Sequence, residues 1–214
     1  MKSATLIVGS AVVGLVAGCY LNQAKTTSRA AKPELGKMFE SEESLDPSAL
    51  PYTQARIILA GTEVPAEMSR EVKGADVYFK IVSKNAVLEE EHYENDKNGF
   101  RFASLTGETF NPPIPLIRYP FKVGESWEWT GTAGLGPNIK KATAVLKSAG
   151  DTLNLATGVY DCVRVTADLV VSTGGPGKST RPLKFWFEPG KGIVKREFAY
   201  SSTREPRPKT SEEP

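Results

Sequence analysis

One histidine, His92, and two cysteines, Cys19 and Cys162, are the whole supply of imidazole and thiol in 214 residues. A structural zinc site wants three or four ligands drawn largely from those two types, so no metal or other cofactor is expected. A Ser-His-Asp triad would have to be built around His92, and nothing in the sequence places a nucleophile beside it. Charge of one sign is missing as well: 27 basic against 25 acidic side chains leave +2, which gives no basic face for a nucleic acid. Helical periodicity is also absent, since no window of eleven or more residues between 51 and 201 repeats its apolar positions every three to four residues.

What is present begins at the amino end. "MKSATLIVGSAVVGLVAGC" has a single charge, Lys2, followed by apolar and small residues, and the next charge is Lys25. That is the layout of a secretory signal; the run is short and Gly-rich beside the roughly 20 apolar residues that a spanning helix needs. The four residues "VAGC", Val16 to Cys19, resemble the lipobox of bacterial lipoproteins. The resemblance implies that residues 1–18 are a signal peptide and that the Cys19 thiol is alkylated by a diacylglycerol before cleavage makes Cys19 the new amino terminus. With two or three acyl chains, palmitate among them, the membrane anchor would be stable where one chain would be marginal. Tyr20 in place of an aspartate favours, by the same resemblance, the outer membrane facing the periplasm. Cys162 is then left without a disulfide partner and is expected to be a buried thiol.

Residues 19–50 lack large apolar residues at any sustained period and read as a flexible tether; residues 202–214, charged and Pro-rich, read as a disordered tail. Between them, 51–201 form one domain, and strict alternation runs through it. Val77, Phe79 and Ile81 share one face of "DVYFKIV", and Val163, Val165, Ala167, Leu169 and Val171 share one face of "DCVRVTADLVVS". Turn residues separate these runs, as in "KN" at 84 and 85, "DKNG" before Phe100, "GGPGKS" and "PGKG". The pattern predicts nine to eleven strands in a mainly β domain, a single antiparallel, strongly curved sheet, with a β-sandwich as the alternative. "NPPIPLIRYP" has too many prolines for a central strand and is expected to be an extended crossover between two strand groups.

Three segments, "YPFKVGESWEWTG", "ATGVYDCVRV" and "FWFEPGKGIVKRE", resemble landmarks of uncharacterised bacterial envelope proteins related in pattern to the half-barrel of the lipoprotein carriers LolA and LolB. The match spans about residues 118 to 198. It implies a half-barrel and brings no catalytic residue with it, because its motifs are turn and packing residues.

The remaining motifs are weak. "STGGPGKST" nearly spells a phosphate loop, but a strand pattern follows it where that loop needs a helix, so a plain hairpin is expected. In "LEEEHYEND" a strand would place Glu89 and Glu91 on one face and Glu90 and His92 on the other, which reads as a solvated acidic face. Trp127 and Trp129 share a face, as do Phe185 and Phe187, while Trp186 points the other way with Lys184. Most of these aromatics belong in a core; the sharper expectation is that Trp127, Trp129, Phe185 and Phe187 line a concave face holding an apolar ligand such as a lipid or an acylated protein. The leading expectation is a lipid-anchored, non-enzymatic binding or structural module of the envelope, with the apolar-ligand carrier as alternative. An envelope hydrolase using carboxylates such as Glu90 or Glu128 comes third, and the sequence names no protein partner. Intact-mass analysis of the membrane-extracted protein is expected to show a chain beginning at Cys19 with acyl groups attached; a product still beginning at Met1 would end the lipoprotein reading.

Overall fold

The structure is a computed structural model, and it describes residues 39–45, 54–59, 62–155, 158–174, 177–198 and 200–205. Cys19, the signal segment and most of the tether and tail lie outside the described residues. The chain folds into β1 (Gln54–Leu59), β2 (Thr62–Lys73), β3 (Asp76–Ser83), β4 (Ala86–Asp96), β5 (Gly99–Leu105) and β6 (Glu108–Arg118). Then come β7 (Ser126–Gly134), β8 (Lys140–Leu155), β9 (Gly158–Gly174), β10 (Gly177–Glu188), β11 (Gly192–Phe198) and β12 (Tyr200–Glu205). Each strand pairs antiparallel with the next, giving the single, strongly curved sheet that the alternation predicts. Its two ends also meet, because β1 pairs with both β2 and β12.

Alternation decides which side of the wall is dry. In β8, Ala142, Ala144 and Leu146 are buried between exposed neighbours, and in β9 Val163, Val165 and Leu169 point the same way. Short turns keep the register. Lys84 and Asn85 both have positive φ, 49° and 65°, which is the mirror-image turn whose twist suits a two-residue hairpin. The near phosphate loop lies where β9 gives way to β10, with Lys178 and Ser179 already paired to Ser172 and Val171. A strand therefore follows it, as the sequence predicts.

The proline segment departs from expectation. Instead of a crossover it is β6, paired along β5 from Leu105↔Glu108 to Gly99↔Arg118. Two register shifts in β5 interrupt the pairing, and the one at Phe102/Ser104 leaves Pro112 and Pro113 where the ladder skips, which is how a sheet admits residues without an N–H, while Pro115 stands opposite Arg101. On its other side β6 meets β7 at only three residue pairs, Thr109↔Gly134, Phe110↔Ala133 and Asn111↔Thr132. Beyond them side chains replace the ladder: the Trp129 indole N–H donates to the Pro112 carbonyl at 2.9 Å, and that of Trp127 to the Pro115 carbonyl at 2.7 Å.

Residues 39–45, placed in the tether by sequence, are docked on the domain. Phe39 and Leu45 are fully buried, and Phe39 meets Phe121 edge-on at 5.8 Å. The Phe121 N–H donates to the Phe39 carbonyl at 3.0 Å and the Gly190 N–H to the Ser44 carbonyl at 2.8 Å. The Asn95 amide donates to the Glu42 carbonyl at 3.1 Å, and the Tyr119 hydroxyl donates back to Asn95 at 3.0 Å. At the other end of the domain, β12 extends through Glu205 and so takes in the first residues assigned to the tail.

Gly131 stands where β6 and β7 part. A Cβ there would lie 2.6 Å from the Asn111 carbonyl oxygen and 2.7 Å from the Trp129 ring. Gly131→Ala is expected to lower stability by about 1–3 kcal/mol, the usual range for overpacking. Urea unfolding of the two proteins measures the difference, and an unchanged midpoint would show that the seam yields without strain.

Candidate functional site

The interior is occupied by the protein's own side chains. Tyr93 on β4 sits among Phe100 and Phe102 of β5, with ring centroids at 5.1 and 5.2 Å, and Phe79 and Phe185 meet it edge-on. Of the four aromatics proposed to line a ligand face, Phe185 and Phe187 lie together, 6.3 Å apart and nearly parallel, and Phe187 also meets Phe100. Trp127 and Trp129 stand at the β6–β7 seam, with Phe121 edge-on to Trp127 at 6.2 Å and the Arg118 guanidinium 5.0 Å from the Trp127 ring. By ring contacts the four form two groups, and all are 5% exposed or less. Trp186 does face the other way: Lys195 lies 4.6 Å from its ring and its indole N–H donates to Asp151 at 2.8 Å.

Charge enters the same interior. Arg196 on β11 is fully buried with Glu89 and Glu91 on β4. Its Nε donates to Glu91 Oε1 at 3.1 Å, Nη2 donates to Glu89 Oε1, and Nη1 donates to the Phe198 carbonyl at 3.0 Å. The Tyr93 hydroxyl donates to the other Glu91 oxygen at 2.8 Å. Burial opposes the charged guanidinium, but Glu91 and Glu89 outweigh it and hold its pKa above the ordinary arginine value. The solvated acidic face read from "LEEEHYEND" is thereby corrected. Glu90 and His92 face outward, onto Lys80 at 3.1 Å and Asp76 at 2.7 Å, while Glu89 and Glu91 face in because a cation from another strand meets them there.

Cys162 is buried as expected. Burial first, and then the nearby Glu188, Asp151 and Asp161 carboxylates, push its thiol up to about 12, so it stays protonated and unreactive at neutral pH. Among the described residues no group of three His, Cys, Asp or Glu side chains could hold a metal ion.

A broad cleft of about 720 Å³ runs across β7, β8, β9 and β10 on the outer wall. Glu128, one of the two carboxylates named for hydrolysis, lines it together with Asp168, Lys147 and Lys184. Glu90 lies elsewhere, on β4. Sequence reasoning missed the cleft, because its residues come from four strands and share no local motif.

An interior that is apolar apart from the Arg196 trio, and a wall bearing Lys80, Glu90, Lys147 and Asp168 outside, reverse the pattern of a lipid-facing barrel, whose outer band is apolar. The class these features define is an antiparallel β-barrel with aromatic side chains packed in its interior and charged side chains on its exterior. No family model and no curated protein matches the chain. Among solved structures it is similar to the hypothetical lipoprotein YmcC of Escherichia coli, at 13% identity and a TM-score of 0.44, over 75% of this chain and 89% of that one. A candidate exported protein of YmcC-like fold from Bacteroides fragilis follows, at 12% identity and a TM-score of 0.39, over 71% of this chain and 92% of that one. A candidate lipoprotein from Parabacteroides distasonis has 12% identity and a TM-score of 0.33, over 72% of this chain and 94% of that one. At these scores no functional assignment passes to this chain.

The Arg196 trio can be tested by removing one partner. Arg196→Met is expected to destabilise the fold by about 3–5 kcal/mol, the usual effect of breaking a buried ion pair, with Arg196→Lys losing less. Guanidinium chloride unfolding checks both; a loss below about 1 kcal/mol for Arg196→Met would show that the trio does not tie the barrel together.

Proposed function

We propose that the protein is a lipid-anchored, non-enzymatic component of the bacterial cell envelope, held at Cys19 and acting through the outside of its barrel as a binding or structural module. The observation that carries this reading is the packing of the interior: Trp127, Trp129, Phe185 and Phe187 are buried against their own neighbours, and Arg196 meets Glu89 and Glu91 across the barrel. A ligand-carrying barrel keeps an apolar cavity for its cargo. The signal segment and the cysteine at its end support the envelope location, and Tyr20 supports the outer membrane facing the periplasm. The alternative, a carrier or sensor of an apolar lipid or acylated protein, would need those same aromatics to move apart.

Native mass spectrometry of the chain from residue 20 onward, exported through a cleavable signal and purified without detergent, separates the two. The expected result is the bare polypeptide mass. A reproducible adduct with the mass of a fatty acid or phospholipid, lost in Trp127→Ala, would overturn the surface reading in favour of the carrier.

A further inference from the structure

The loop between β7 and β8 holds two large apolar side chains in water. Leu135 is 59% exposed and Ile139 55%. The loop is a fixed turn: the Asn138 N–H donates to the Leu135 carbonyl at 3.0 Å, and Gly136 takes a left-handed φ of 53°. Lys140 and Lys141 follow directly at the start of β8. Lys178 of β10 is paired with Ser172 of β9, one residue past the Ala142↔Val171 pair, so it stands two strands from Lys141, about 10 Å away at the usual spacing.

Carboxylates are missing from this corner. The sequence has none between Glu128 and Asp151 and none between Asp168 and Glu188, so the distal halves of these two hairpins carry Lys140, Lys141, Lys178 and Arg181. The adjoining β5–β6 turn supplies Glu108, which Arg181 holds at 2.6 and 2.7 Å. Consecutive turns of such a barrel alternate between its two ends, and at the other end a carboxylate stands beside each turn: Asp76, Asp96, Glu125, Asp161 and Glu188. Val159, 69% exposed, is at that end, two residues from Asp161. Exposed aliphatic side chains and an excess of basic charge therefore coincide at the β7–β8 end alone among the described residues.

A convex tip with aliphatic points and flanking ammonium groups offers no groove to a peptide. It matches an anionic lipid surface, where the aliphatic groups enter the acyl boundary and lysines stay at the level of the phosphates. We infer that the β7–β8 loop is a membrane-contact site for the anionic lipid surface of the membrane that holds the protein's own anchor. Leu135 and Ile139 enter the head-group region, and Lys141 and Lys178 meet lipid phosphates. The inference rests on the reading that the chain is anchored at Cys19, and it names the partner of the barrel's outer surface. Geometry allows the contact. Residues 20–38 separate the anchor from Phe39, a length of chain that reaches up to about 65 Å, against about 30 Å for a strand the length of β7. The anchor also keeps the local concentration of lipid high, so a contact too weak to hold a dissolved protein is populated here.

The test uses the lipidated full chain in vesicles, with an environment-sensitive nitrobenzoxadiazole label on Asn138→Cys; Cys19 carries the lipid and Cys162 is buried, so the new thiol alone reacts. Emission is expected to rise about twofold or more and shift to the blue in vesicles of about three parts phosphatidylglycerol to seven of phosphatidylcholine, relative to phosphatidylcholine alone. The same label on Asn98→Cys, in the β4–β5 turn at the other end, should report water in both. Each lysine is worth roughly fivefold in partitioning at such a surface. The double variants Lys141→Glu, Lys178→Glu and Leu135→Ser, Ile139→Ser are therefore each expected to return the Asn138 signal to its phosphatidylcholine value. All four side chains are exposed, and an unchanged thermal midpoint shows that the variants are folded. The inference is overturned if the Asn138 signal is the same in both lipids, if the Asn98 label responds instead, or if neither double variant lowers the response. A response that disappears when the vesicles are diluted would place the contact between vesicles and overturn the assignment to the anchoring membrane. A chain that does not float with the vesicles would sink the anchor reading and this inference with it, whereas a chain that floats with an unmoved signal sinks this inference alone.

Discussion

Arg196 holds together two parts of the barrel wall that share no backbone ladder. It stands on β11, and the carboxylates it meets are on β4, so the contact crosses the interior. A guanidinium denied water is tolerable only when its donors are satisfied, and here they reach two glutamates and the Phe198 carbonyl. Tyr93 then orients Glu91 and packs its ring on Phe100 and Phe102, so the ionic and aromatic parts of the interior are one assembly.

The wall answers a different constraint. Prolines at 112, 113 and 115 remove backbone donors from β6, and a continuous ladder with β7 is impossible beyond Asn111. Two indole N–H groups donate to proline carbonyls of the neighbouring strand, and Gly131 lets the Asn111 carbonyl and the Trp129 ring come close where the ladder ends. Trp127 and Trp129 thus have a structural task, bonding the Pro115 and Pro112 carbonyls across the seam.

How much of this was legible depends on how local each signal is. Strands such as β3, β8 and β9 could be read from alternation, because the same few residues that carry the pattern also carry the burial. The single curved sheet followed from hairpin turns and from the lack of helical period. The inward turn of Glu89 and Glu91 could not be read from "LEEEHYEND", since the residue that makes it tolerable lies 105 residues beyond Glu91. The one hint was that Val194, Arg196 and Phe198 share a face in "IVKREF". Residues 39–45 looked like tether because Phe39 and Leu45 are too far apart to form a period, and their docking depends on Asn95, Phe121 and Gly190. The cleft is the extreme case: Glu128, Lys147, Asp168 and Lys184 become neighbours only once four strands are in register.

Viewed mechanically, the barrel is a hoop whose staves are set at fixed intervals, with one soft joint. Where strands share a ladder, hydrogen bonds fix their separation near 4.8 Å and the circumference there cannot stretch. Between Pro112 and Arg118 the joint to β7 is made by indole rings on rotatable side chains, and its width answers to torsions about those bonds. Any change of girth is concentrated there. The Glu128 end of the outer cleft lies on β7, beside that joint, so the span from Glu128 to Asp168 is set by the rigid β7–β8–β9 ladder while the ground on the far side of β7 gives.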